Sequence, residues 1–241
     1  MTLKATVAAL LIAAAVPAGA ETAPGSPDIA ERVALVLASE PARSAMPGLM
    51  AYFPAEAQRM VDSLREVVSE PDGFSAAGFE RLSALNTQIM APILGMVAQA
   101  GDADLVALLD RQIGLLRGIE GQPMLCARFI VQGPAALGAD HRYLAEGVLE
   151  EAYRQRLAVA HATRDVAPWR GAASDEDYAA IAQALADQGA DDAWFDRIAA
   201  MDPNDRALCR TFTEYLTVAR DAAFPGADRI RADLATVTGL Y

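Results

Sequence analysis

From Pro27 onward apolar residues recur at intervals of three and four, with Ala, Leu, Arg and Glu filling the positions between, and this spacing predicts helix almost throughout. Alternating strand patterns are nearly missing. Ile29, Val33, Val36 and Leu37 form the stripe of a first helix that Pro41 ends; a short segment around Leu49–Phe53 follows, and Pro54 opens a helix to Ser69. Met60, Val61, Leu64, Val67 and Val68 are its inward stripe, while Met46, Met50 and Met60 read as core filler.

Leu82–Gly101 runs for twenty residues without a charge, the length of a membrane span. Asn86, Gln88 and Gln99 interrupt it and Pro92 with Gly95 bends it, so it is expected to be the hub of the core and not a span. Asp102 or Asp104 caps a helix bearing Leu105, Leu108, Leu109, Ile113, Leu115 and Leu116, which Gly118 and Gly121 close. Pro123–Gln132 is apolar around most of its circumference, the mark of a helix buried on several sides.

Asp140 starts the longest expected helix, ending near Arg164, with Leu144, Val148, Ala152 and Val159 on one face. Val166–Ser174 reads as an internal hinge, and Ser174 with Asp177 as a capping box for a helix whose Tyr178, Ile181 and Leu185 face inward. Asp191 or Asp192 opens a short helix through Trp194, Phe195 and Ile198. Asp202 caps and Pro203 begins the next, carrying Leu208, Cys209, Phe212, Leu216 and Val218, and Pro225-Gly226 sets off a terminal helix. The expectation is an all-α, single globular domain of about nine or ten helices over residues 28–241.

The first twenty residues do not belong to that domain. Lys4, an apolar run of about 12 residues from Ala5 to Val16, and Ala18-Gly19-Ala20 make a signal peptide over residues 1–20, too short for a span. Residues 21–27 form a flexible spacer, and the mature chain is expected in the periplasm or outside the cell. Cys126 and Cys209, the only cysteines, are then expected to form one inter-helix disulfide, which also removes a cysteine nucleophile and thiolate metal sites. Closing so long a loop stabilises by roughly 4.5 kcal/mol in the chain-entropy model.

Charge narrows the partners. Lys4 is the only lysine, so every cation after the leader is an arginine or the terminal amine, and Schiff-base chemistry, a lysine base and a phosphate-loop lysine are excluded. A formal net charge of −12 before cleavage disfavours nucleic acid and anionic lipid as partners. No nucleophile elbow, phosphate loop, haem-attachment motif or dinucleotide glycine pattern is present, and no cofactor or metal is implied.

Few residues are left to carry chemistry. His141 and His161 are the only histidines, and neither stands in a metal-binding frame; His161 and Asp165 lie one turn apart. Tyr143, Glu150, Arg154 and His161 fall on one polar strip, with Glu150 as a candidate acid or base and Glu150–Arg154 as an i,i+4 pair. Arg128 interrupts the most apolar helix and needs a carboxylate, such as Glu214, or an anionic ligand; Arg210 and Glu214 are placed to pair with each other instead. Trp169-Arg170 places an aromatic and a cation in the hinge, as exposed recognition loops do. The resulting expectation is binding or scaffolding of a small molecule or envelope protein at Arg128 or the Trp169 loop. The alternatives are a cell-wall or glycan hydrolase using Glu150, with His161 as the other catalytic candidate, and a structural subunit of an envelope complex.

Overall fold

The computed structural model describes residues 28–38, 42–70, 75–137, 147–166 and 168–237; the leader, the spacer and the expected Asp140–Leu144 segment with His141 and Tyr143 lie outside them. Among the described residues the fold is all-α, one domain of eleven α-helices with no strand. They are α1 (Ile29–Leu37), α2 (Ala42–Tyr52), α3 (Pro54–Ser69), α4 (Ala76–Ala98), α5 (Asp102–Ile119) and α6 (Pro123–Gln132). After a 3₁₀ turn at Gly133–Leu137 come α7 (Val148–Thr163), α8 (Asp175–Asp187), α9 (Asp192–Ala200), α10 (Leu208–Asp221) and α11 (Ala227–Val237).

The boundaries follow local chemistry where capping or proline sets them. Pro54 and Pro123 sit at the first turns of α3 and α6, where the missing N–H costs nothing. Ser174 and Asp177 form a reciprocal capping box at α8, and Asp191 accepts the Trp194 N–H to cap α9. The expected start of α10 at Pro203 is corrected: Asp202 and Asp205 spend their carboxylates on the N–H groups of Asn204 and Ala207, holding turns, and the helix begins at Leu208. The cap of α5 is corrected too. Gly101 precedes it, and Asp102 lies in its first turn.

The hub is α5, not the uncharged stretch. Leu105 and Leu108 join one apolar cluster with Met46, Leu49, Ile89, Ile93, Val97 and Leu157, while Leu109, Ile113, Leu116 and Ile119 join a second with Phe129, Leu149, Ile181, Leu208 and Leu216. One helix therefore spans both cores. On α4, the longest described helix, Ile89, Ile93 and Val97 are buried but Thr87, Gln88, Ala91, Pro92 and Gly95 face solvent. Lack of charge reflects small neutral residues there, and no described helix is long and apolar enough to cross a membrane.

Cys126 on α6 and Cys209 on α10 are bonded, with Cα atoms 5.5 Å apart and both side chains buried. α2 crosses α7 closely at Gly48, where an added Cβ would lie 2.7 Å from Leu157 Cδ1 and 3.4 Å from the Arg154 Cα. On α7 the inward face is Leu149, Tyr153, Arg156, Leu157 and Ala160, about one residue round from the expected face, leaving Val148 exposed. Met46 and Met60 are core, but Met50 is 65% exposed and Tyr178 39%.

Candidate functional site: a clamped indole over a buried arginine

Gln99, at the C-terminal cap of α4, fixes the Pro168–Ser174 segment to the body of the domain. Its side-chain Oε1 accepts the backbone N–H groups of Trp169 and Arg170, both at 2.9 Å, its Nε2 donates to the Arg170 carbonyl at 3.3 Å, and its own carbonyl accepts the Trp169 indole N–H at 3.1 Å. The expected hinge is therefore corrected. Four bonds to one residue hold the chain there, and Thr163 Oγ1 donates to the Met96 carbonyl at 2.8 Å, tying the end of α7 to the same turn of α4.

Arg170 points inward from this segment, its side chain only 2% exposed. Its Nη1 donates to the Ala98 and Ala100 carbonyls, groups that the end of α4 leaves without helical partners, and its Nε donates to Asp228 at 2.9 Å in the first turn of α11. Burial pushes the Asp228 carboxyl up, but the hydrogen bond and charge of Arg170 outweigh it and the net shift is downward. The Arg170 Cζ lies 4.2 Å from the centre of the Trp169 ring. Arg170 thus positions Trp169 and joins three elements; its Nε and Nη1 are used inside the fold, while its Nη2 is buried without a hydrogen-bond partner. Trp169, in contrast, is 59% exposed.

Arg231 repeats the device. It donates to both Asp102 oxygens at 2.7 and 2.9 Å and to the Ala219 and Ala222 carbonyls at 3.1 and 2.9 Å, bridging the end of α10 to the start of α5. Beside Asp228, Arg229 makes a two-toothed pair with the buried Asp177, both contacts 2.7 Å, and holds that carboxyl down to about 2. Tyr178 O–H donates to Asp233 at 2.7 Å; its hydroxyl pKa is raised chiefly by burial and then by that bond.

The remaining expected sites disperse. Arg128 is exposed on α6, so the premise that its helix lacks a solvent face is corrected; Glu214 instead accepts the Trp194 indole N–H at 3.0 Å and faces Arg210 at 3.7 Å. The buried arginines missed by pattern are Arg231 on α11 and Arg156 on α7, the latter's pKa lowered by burial to about 9, still charged at neutral pH. Glu150 is exposed in the first turn of α7, and Arg154 pairs with Glu151, three residues before it, not with Glu150. His161 is half-buried against Tyr52 and Phe53, with ring centres 5.8 and 6.0 Å away, and its Nε2 lies 2.9 Å from Arg164 Nη1. Asp165 points into solvent beside Arg164. Among the described residues no group of three or more His, Cys, Asp or Glu side chains is placed to hold a metal ion.

What the fold and site define is a disulfide-linked all-α domain presenting one clamped, exposed indole. Compared with protein-family models, curated proteins and solved structures, the chain matches none.

Proposed function

We propose that the protein is an exported, periplasmic helical binding or scaffolding module and that Trp169 is its contact residue. One observation carries this reading: an indole that is 59% exposed yet held through both its backbone N–H and its ring N–H by Gln99. A large apolar side chain left in water forgoes burial worth about 1.5–3 kcal/mol, and fixing it in advance reduces the ordering cost of binding. Tryptophans with that profile dominate interface energetics. The leader-like first twenty residues support the address.

The glycan-hydrolase alternative draws less support, because a catalytic acid needs a cleft that raises its pKa and Glu150 stands exposed at a helix start. The test is side-by-side capture from envelope extract by the wild type and by Trp169→Ala, with circular dichroism confirming that the variant keeps its helices. Species held by the wild type and lost by the variant support the reading. Identical capture by both proteins overturns it.

A further inference from the structure

We propose that the open face of Trp169 is a stacking platform for a planar aromatic ring without positive charge, and that Arg170 behind the indole sets this choice. The inference rests on Trp169 being the contact residue and names the chemistry it contacts. One face of the indole lies on the Arg170 guanidinium, with Cζ 4.2 Å from the ring centre, and its N–H edge is bonded to the Gln99 carbonyl at 3.1 Å. The surface left in water, in a residue 59% exposed, is therefore the opposite face and the benzene edge. A ring held at that N–H and at its backbone cannot turn to offer the other face.

The backing cation decides what the open face attracts. An aromatic ring is negative over its faces and positive at its edge, so a face draws a cation, and here one face is already taken. Arg170 is a strong occupant. Its side chain is 2% exposed, it meets one carboxylate among the described residues, Asp228, and its Nη2 is buried with no hydrogen-bond partner, so little solvent or counter-charge screens it from the ring. It pulls π density inward and leaves the open face poorer in electrons. A second cation there would stand about 8 Å from the first, twice the 4.2 Å spacing, and be repelled across the ring. The electron-rich face of another ring gains from the same polarisation, in the offset stack that aromatic pairs prefer. The slightly positive C–H face of a sugar does not.

The rim matches an uncharged guest. From Val166 to Ser174 Arg170 is the only charged residue and it turns inward, while Val166, Pro168, Gly171 and Ala172 are exposed. Across the contact Ala98–Gly101 carries no charge either, and the Gln99 amide is spent on the Trp169 and Arg170 backbone. The platform therefore offers stacking area with no ion to pair, in a chain whose formal net charge of −12 would otherwise favour cations. A free aromatic molecule and the aromatic side chain of a partner share the chemistry it fits.

The test uses the full mature chain, isotope-labelled, and follows the nuclear magnetic resonance signal of the Trp169 indole N–H, assigned by its loss in Trp169→Ala. Para-cresol stands for a free ring, acetyl-Gly-Tyr-Gly-amide for an aromatic side chain, tetramethylammonium for a cation and methyl β-glucoside for a sugar. The expected result is that para-cresol or the tyrosine peptide shifts the signal with a Kd about tenfold below those of tetramethylammonium and the glucoside, the tighter aromatic probe naming the source. Arg170→Gln, with the backing charge gone, is expected to narrow that ratio to about threefold or less. Asp228→Asn, which leaves the charge less compensated, is expected to widen it and serves if Arg170→Gln does not fold. Tetramethylammonium or the glucoside binding as tightly as the aromatic probes overturns the proposal, as does a ratio unchanged in the folded variant or a Trp169 signal that no probe moves. Envelope species captured by the wild type and lost by Trp169→Ala would then still leave Trp169 as the contact residue, so the two readings fail separately.

Discussion

Gln99 and Trp169 are joined at both ends of the tryptophan: the Gln99 amide oxygen accepts the backbone N–H at 2.9 Å, and the Gln99 carbonyl accepts the indole N–H at 3.1 Å. Residues seventy positions apart are thereby locked into one turn.

Truncating the amide should release that turn. Gln99→Ala removes the acceptor for two N–H groups and one donor, all part-exposed, and is expected to cost about 2 kcal/mol of unfolding free energy. Urea denaturation measures the loss, and a change in Trp169 emission locates it.

Gly226 and Gly147 both have positive φ, +92° and +75°, but differ in what a side chain would meet. At Gly147 there is open space, so alanine carries only the left-handed penalty of about 1–2 kcal/mol. At Gly226 a Cβ would run into the Asp177 carboxylate and come 2.7 Å from Arg229 Nη2. Gly226→Ala should therefore cost about 3 kcal/mol or more, by the same penalty plus loss of the buried ion pair. Equal melting temperatures for the two variants would refute this reading of the site.

Acid stability should depend on Asp177. Its folded pKa of about 2 lies below the ordinary carboxylate value because Arg229 holds the ionised form, so the stabilisation is complete above the unfolded pKa of about 4 and is lost as pH falls through about 2. Asp205 and Asp221 are also shifted down, chiefly by the Ala207 N–H and by Arg220 respectively, and act in the same direction. Asp177→Asn should be less stable than the wild type at pH 7 and show a shallower loss between pH 4 and pH 2, measured by thermal melts across that range.

The disulfide should be inert until the domain opens. Both sulfurs are buried, so dithiothreitol with a thiol-alkylating agent should label neither cysteine in native buffer and both in denaturant. Replacing both cysteines by alanine should cost about 2–5 kcal/mol.

Fold class was legible in the sequence because helix spacing, proline positions and caps are local signals: Pro54–Ser69, Pro123–Gln132 and the Ser174–Asp177 box stand as expected. The bridge was legible because only two cysteines exist to pair. Tertiary roles were not. Gln99 reads as a polar interruption of an uncharged run, since the groups it binds lie some seventy residues away. Arginines look alike in sequence, yet Arg128 is exposed while Arg156, Arg170 and Arg231 are buried, because burial is decided by which helix face meets which neighbour. Trp169 and Arg170 are adjacent in sequence, but the two divide the work: the arginine turns inward to carbonyls, the tryptophan outward to solvent.

Trp169 is at once exposed and immobile, and time-resolved fluorescence anisotropy of the Trp194→Phe protein reads that residue alone. The prediction is solvent-exposed, red-shifted emission whose anisotropy decays only with tumbling of the whole domain. Fast local depolarisation on the sub-nanosecond scale, with the helices intact, would contradict it.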